Sequence, residues 1–195
     1  ERQTKNEKEE TGAKLNNRLC GRQGTPGSAP PSGRKLFPRR RAVETAFAGV
    51  PSPAAALGFL NLAREKAGNM ITGFEFMPRI VVDFLLEFMP ATRDPLAAHH
   101  RWYVLIELSS QASEGMPAMM QDLLAAGAQR GFVEDAAIAA NLEQANTFWH
   151  LREALADVQK YAGGSIKHDV SVPVAAVPDF IAQASAAAQA LIPGS

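Results

Sequence analysis

Residues 102–108, Trp-Tyr-Val-Leu-Ile-Glu-Leu, are a nearly unbroken run of aromatic, β-branched and aliphatic side chains. Such a run reads as a strand in the interior of a sheet, because a half-solvated strand would alternate apolar with polar residues. A central strand needs partners and helical cover, and the residues from Ala42 onward supply both. Val43, Thr45 and Phe47 follow a two-residue period over 42–50, which suits a strand. Ser52-Pro53 then reads as an N-cap followed by proline at the first helical position, with Leu57, Leu60 and Leu62 ahead of a Gly68-Asn69 stop. Residues 70–76 give a further strand. Pro78 opens a helix whose apolar positions are Ile80, Val81, Phe84, Leu85 and Phe88.

After Ser109-Ser110 a helix is expected over 114–130, with Met116, Met119, Met120, Leu123, Leu124 and Ala128 as its buried stripe. Methionines at helical spacing are core filler far more often than cofactor contacts. A weaker strand over 131–138, a long helix over 142–161, a strand over 165–172 and an alanine-rich helix over 177–191 complete the pattern. The alternation predicts an α+β fold: a mainly antiparallel sheet with helices packed on one face, as in ferredoxin-like units. A parallel sheet fits less well, since several connections are too irregular for uniform crossovers.

Residues 1–41 differ in texture. They hold eleven basic and four acidic side chains and are dense in Gly, Pro and Ser toward their end, so they are expected to be irregular, with the folded domain over 42–195. The whole chain carries twenty basic and twenty acidic residues, which gives no global steering toward nucleic acid or an anionic membrane. Arg34, Lys35, Arg39, Arg40 and Arg41 lack the interleaved aromatics or recognition helix of a nucleic-acid reader. The one cysteine, Cys20, excludes an intrachain disulfide and a cysteine zinc site. With no secretory leader pattern and no apolar run long enough for a membrane span, the expectation is a cytoplasmic protein. Beginning at Glu1 and stopping directly after a helical pattern, the sequence reads as a piece of a longer one.

The chemistry-bearing side chains concentrate in 148–173. Arg152 lies on the long helix, and Lys167, His168 and Asp169 follow the Gly163-Gly164 turn. A helix folding back on the next strand would bring Arg152 toward Lys167, a fork and a point charge that together clamp a carboxylate. The plainer alternative pairs Arg152 with Glu153 or Asp157 and leaves Lys167 solvated. His168 would serve as a general base or touch a redox cofactor. His99-His100 and His150 have no metal-ligand spacing and read as surface or structural residues. Gly21 to Gly27 lacks the GK[ST] ending of a P-loop.

Seven segments taken in order resemble one family, the flavin-linked D-2-hydroxyacid dehydrogenases, which act on D-lactate, D-2-hydroxyglutarate or glycolate. They are KLFPR at 35–39, TAFAGVPSPAAAL at 45–57, TGFEFMPR at 72–79, RDPL at 93–96, WYVLIELSS at 102–110, FWHLRE at 148–153 and GGSIKHDVSVPV at 163–174. The likeness is to the family's oxidase C-terminal domain. Upstream, residues 11–27 resemble an altered end of its FAD-binding domain, which places Gly24, Thr25 and Gly27 at cofactor-contacting positions; Arg22, Gln23 and Pro26 depart from that pattern.

The resemblance implies hydride transfer from the substrate C2 to FAD, with electrons then passing to an acceptor it does not identify. It makes Arg152 and Lys167 the substrate-carboxylate ligands, sets His168 beside them, and puts Glu75 on the flavin side. Ala156 stands where some members carry a hydroxyl residue. A histidine-rich segment bearing metal ligands would follow Ser195 in the family; whether the full-length enzyme takes a divalent metal is left open, as is a homodimer. Altered residues at 21–32 support a competing reading, a non-catalytic α+β binding or dimerisation module.

Overall fold

Alternation along Ala42–Val50 sends Ala46, Ala48 and Val50 to one side and Thr45 and Phe47 to the other, and this strand, β1, becomes one of two central strands. The computed structural model describes residues 40–112, 114–164 and 169–193. β1 pairs antiparallel with β3 (Trp102–Ser110) on one side and with β4 (Asp135–Ile138) on the other, while β2 (Ile71–Pro78) pairs antiparallel with β3. The strand order is therefore β2-β3-β1-β4. The connection from β1 to β2 skips over β3, and that from β3 to β4 skips over β1, which is the split crossover of a ferredoxin-like unit. The expected α+β class and antiparallel sheet are what the chain forms.

Helix α1 (Pro53–Ala67) makes the first crossover. The Ser52 side chain accepts a hydrogen bond from the Ala55 N–H at 3.0 Å, and Pro53 stands at the start, where its missing N–H removes no helical bond. The second crossover helix is α3 (Met116–Gln129). Together they bury Phe59, Leu62, Met116, Met120 and Leu123 against Ala46, Ala48, Val104 and Ile106. The methionines are core residues, as their spacing predicts. Gly127 rather than Ala128 completes the stripe, since Ala128 is exposed and a Cβ at 127 would stand 2.9 Å from Val133.

Helical cover on a single face holds only for these two helices. Helices α2 (Arg79–Phe88) and α4 (Leu142–Val158) lie on the opposite face and bury Val82, Leu85, Phe148 and Leu151 against Phe47, Tyr103 and Leu105. The reason lies in β3 itself: Tyr103 and Leu105 on one side are as buried as Val104 and Ile106 on the other, so both faces demand cover. On α2, Ile80 points to solvent and Val82 takes the buried place.

The strand expected over 165–172 is not formed in its described part. Residues 165–168 lie outside the described residues, and Asp169 to Val172 run without ladder pairing, with Val170 exposed. Helix α5 (Val177–Leu191) lies against α1, and Val174 and Val177 close a small apolar pocket of about 220 Å³ over Leu57, Leu60 and Phe74.

Candidate functional site

The site is set by how α4 sits on the sheet. Asn141 caps the helix: its side chain accepts from the Gln144 N–H at 2.9 Å, and the Gln144 amide oxygen accepts from the Ala140 N–H at 2.8 Å. Two turns in, the Trp149 indole lies over Gly73 of β2, where a Cβ would come within 2.8 Å of the ring. Glycine is required there by this close approach. The indole N–H donates to Glu107 Oε2 at 2.9 Å. The other oxygen of Glu107 accepts from the Thr72 hydroxyl at 2.8 Å and from Arg40 at 3.2 Å. Thr72 reaches it because β2 carries a bulge between Ile71 and Gly73. A carboxylate in mid-strand thus stays hydrogen-bonded under a helix.

One helical turn after Trp149, Arg152 overhangs β2. Its Nε donates to Glu75 Oε2 at 3.1 Å, with half of the Arg152 side chain exposed. Among the described residues this is its only ion pair, and the two terminal nitrogens of its guanidinium make no other bond there. Glu75 and Arg152 face a cleft of about 330 Å³ whose wall is Met77, Pro78, Val81, Leu155 and Ala156, with Glu153 and Gln159 at the rim. This lies at the low end of the range for small-ligand sites, about 300–1,000 Å³. A larger depression of about 880 Å³ runs along the outer face of α4, past Glu143, Asn146, His150 and Glu153. It is broad and lined by carboxylates without a guanidinium, so the smaller cleft is the better receptor for an anion.

Directly after β2, Arg79 fixes the start of α2. It donates to Asp83 at 2.7 Å, to Asp94 at 2.6 Å and to the Tyr103 hydroxyl at 2.6 Å. Burial opposes the charge, but the hydrogen bonds to Tyr103, Asp94 and Asp83 outweigh it and hold the guanidinium pKa above its ordinary value. This network joins the 72–79 and 93–96 segments and is structural.

Of the residues the sequence singles out, Arg152 and Glu75 are brought together. Lys167, His168, Gly24, Thr25 and Gly27 lie outside the described residues. Arg152 pairs with neither Glu153 nor Asp157; its partner is 77 residues distant. His100 is structural, packed on Gly49 with Nδ1 2.9 Å from Glu134, while His99 is exposed. Glu107, Trp149 and Gly73 escape the sequence reading. The one sign available was an acidic residue inside the apolar run of 102–108.

The described part of the cleft has room for a small acid. It does not enclose a dinucleotide, so these residues alone do not fit FAD, although Glu75 opens onto the cleft. Among the described residues no three His, Cys, Asp or Glu side chains converge as metal ligands, and no helix is long and apolar enough to cross a membrane.

Comparison with known proteins places this geometry. A family model described as FAD linked oxidases, C-terminal domain, matches residues 39–192. The mitochondrial D-2-hydroxyglutarate dehydrogenase of Arabidopsis thaliana is 25% identical over 174 residues, covering 89% of this chain and 31% of that protein. The mitochondrial D-2-hydroxyglutarate dehydrogenase of Rattus norvegicus is also 25% identical, covering 89% of this chain and 32% of its own length. A D-2-hydroxyglutarate–pyruvate transhydrogenase of Saccharomyces cerevisiae is 22% identical, covering 85% and 33%. The chain therefore spans about a third of the length of these relatives. The cytoplasmic expectation is overturned by the plant and rat proteins, whose names assign them to the mitochondrion. The lack of a leader-like stretch within 1–195 is no guide to compartment in a chain covering a third of its relatives.

Proposed function

The chain belongs to the family of FAD-linked oxidase C-terminal domains, and on that premise we propose that it is the substrate-binding part of an FAD-dependent oxidoreductase acting on a D-2-hydroxyacid. The observation that carries the proposal is the half-exposed Arg152 guanidinium, held at Nε by Glu75, its outer edge without another bond among the described residues, in the lining of a cleft of small-acid size. That edge suits a carboxylate taken through two parallel N–H···O bonds. The apolar wall of Met77, Val81 and Leu155 excludes water from one side of the bound acid, which strengthens the charge-assisted bonds.

Charge balance calls for a second cation. The described lining holds Glu75 and Glu153 against Arg152 alone, a net negative cleft that repels an anion at close range. Lys167, three residues after the Gly163-Gly164 turn, is the residue that meets this need. A dicarboxylate such as 2-hydroxyglutarate uses both cations; D-lactate uses one. His168, next to Lys167 in the chain, takes the hydroxyl proton in this reading. FAD, and a divalent metal where the complete protein uses one, would be held by residues other than those described.

The test is titration of the ¹⁵N-labelled chain with D-2-hydroxyglutarate and with D-lactate. The expected result is weak binding, with perturbed resonances clustered at Glu75, Arg152, Ala156, Gln159 and Lys167, and loss of that response in Arg152→Ala and Lys167→Ala. Unchanged binding in Arg152→Ala, or perturbations confined to another surface, would overturn the proposal.

A further inference from the structure

We propose that Glu75 is a positioning residue for Arg152: it fixes the plane of the guanidinium through Nε so that the terminal nitrogens face the cleft. The inference rests on the substrate reading given above and adds a second residue to it.

The first support is placement. Gly73, Glu75 and Met77 are the positions of β2 that face α4, with Gly73 opposite Glu107 and Glu75 opposite Leu105. Gly73 makes room for Trp149 and Met77 is buried. Glu75 is thus the single ionisable side chain β2 turns toward the helix. It engages Arg152 and has no other ion pair among the described residues.

The second support is an independent tie on the same helix. Trp149 and Arg152 lie three residues apart on α4, and each donates one N–H to a carboxylate of the sheet, Glu107 and Glu75 respectively. Along the helix that spacing is about 4.5 Å. Along β2, from Gly73 beside Glu107 to Glu75, it is about 6.6 Å. The two ties therefore run side by side, and a helix held at two points cannot roll about its axis. The Trp149 tie sets the rotation of α4; the Glu75 tie sets the torsions of the Arg152 side chain beyond it.

The third support is which nitrogen is used. A carboxylate can meet a guanidinium at its end, across the two terminal nitrogens, or from its side, through Nε. Glu75 takes Nε alone, leaving the fork for a ligand. An ion pair this exposed contributes about 0–1 kcal/mol to stability, so its removal leaves the fold intact and the variants are interpretable.

The experiment uses the whole 195-residue chain. In the wild type the Arg152 Nε–H resonance, assigned by its disappearance in Arg152→Lys, is expected to be resolved and protected from exchange. Glu75→Gln keeps an acceptor oxygen and should keep that resonance; Glu75→Ala should lose it to the pool of solvated arginines. With D-2-hydroxyglutarate as probe, Glu75→Gln should stay at or above wild-type affinity because it removes a nearby negative charge, and Glu75→Ala, which removes the same charge, should bind about three- to tenfold more weakly than Glu75→Gln, the range of one lost hydrogen bond. Retention of the protected resonance in Glu75→Ala, or equal loss in both variants, overturns the positioning role. If Arg152→Ala binds the acid as the wild type does, the substrate reading fails, and the Nε–H readout still decides what Glu75 does.

Discussion

Gly73→Ala isolates the contact that seats α4 on the sheet. Gly73 does not adopt a positive φ, so its backbone accepts alanine, and an unstrained replacement would stabilise by about 0.4–1 kcal/mol through the unfolded chain. The new Cβ, however, would stand 2.8 and 2.9 Å from Cζ2 and Cη2 of Trp149 and 3.3 Å from Cβ of Glu107. The ring must move, and it is tied at Nε1 to Glu107. Overpacking costs about 1–3 kcal/mol, and a lost hydrogen bond to a carboxylate about 1.5–3 kcal/mol. The net expectation is a destabilisation of about 2–5 kcal/mol, with Tm falling by about 2–4 °C per kcal/mol in a chain of this size. Urea unfolding of the wild type, Gly73→Ala, Trp149→Phe and the double variant gives the cycle. Phenylalanine lacks the two clashing carbons, so Gly73→Ala should cost far less in the Trp149→Phe background, with a coupling of about 1 kcal/mol or more. Additive single effects, or a stabilised Gly73→Ala, would refute the account of how α4 is seated.

Two more predictions concern the buried polar groups. Thr45 is buried with no hydrogen-bond partner for its hydroxyl among the described residues, so Thr45→Val should raise stability by about 1 kcal/mol by removing an uncompensated desolvation; an unchanged or lower urea midpoint contradicts this. Arg79→Lys loses the planar fork that serves Asp83, Asp94 and Tyr103 together and should cost about 1–3 kcal/mol. Because the Arg79 pKa is raised on folding, its contribution is complete below the unfolded value and fades only above it. The stability gap between wild type and Arg79→Lys should accordingly be level from about pH 6 to 9, both side chains being charged throughout; a gap that changes across that window contradicts the assignment.

Where a signal was local, the sequence carried it. The Ser52-Pro53 start of α1, the β3 run and the methionine stripe of α3 each depend on residues within one element, and each formed where its pattern predicts. Helix α4 ends at Val158 and passes into a short 3-10 turn at Gln159–Ala162, three residues before its expected end. Misreadings arose where a residue answers to something distant. Ile80 follows helical spacing yet faces solvent, because the position of the sheet, not the period, decides which side of α2 is inward.

The candidate site divides the same way. The sequence by itself determined an α+β chain with an antiparallel sheet, named Arg152 as a chemistry-bearing residue, and carried the likeness that points to Glu75 and that the family match bears out. Only the tertiary structure decided that helices cover both faces, that Glu107 holds Trp149, and that Arg152 meets Glu75 across 77 residues. Periodicity and capping are properties of neighbours along the chain. A partner on another element is chosen by strand register and helix seating, and those exist only once the two cores have packed.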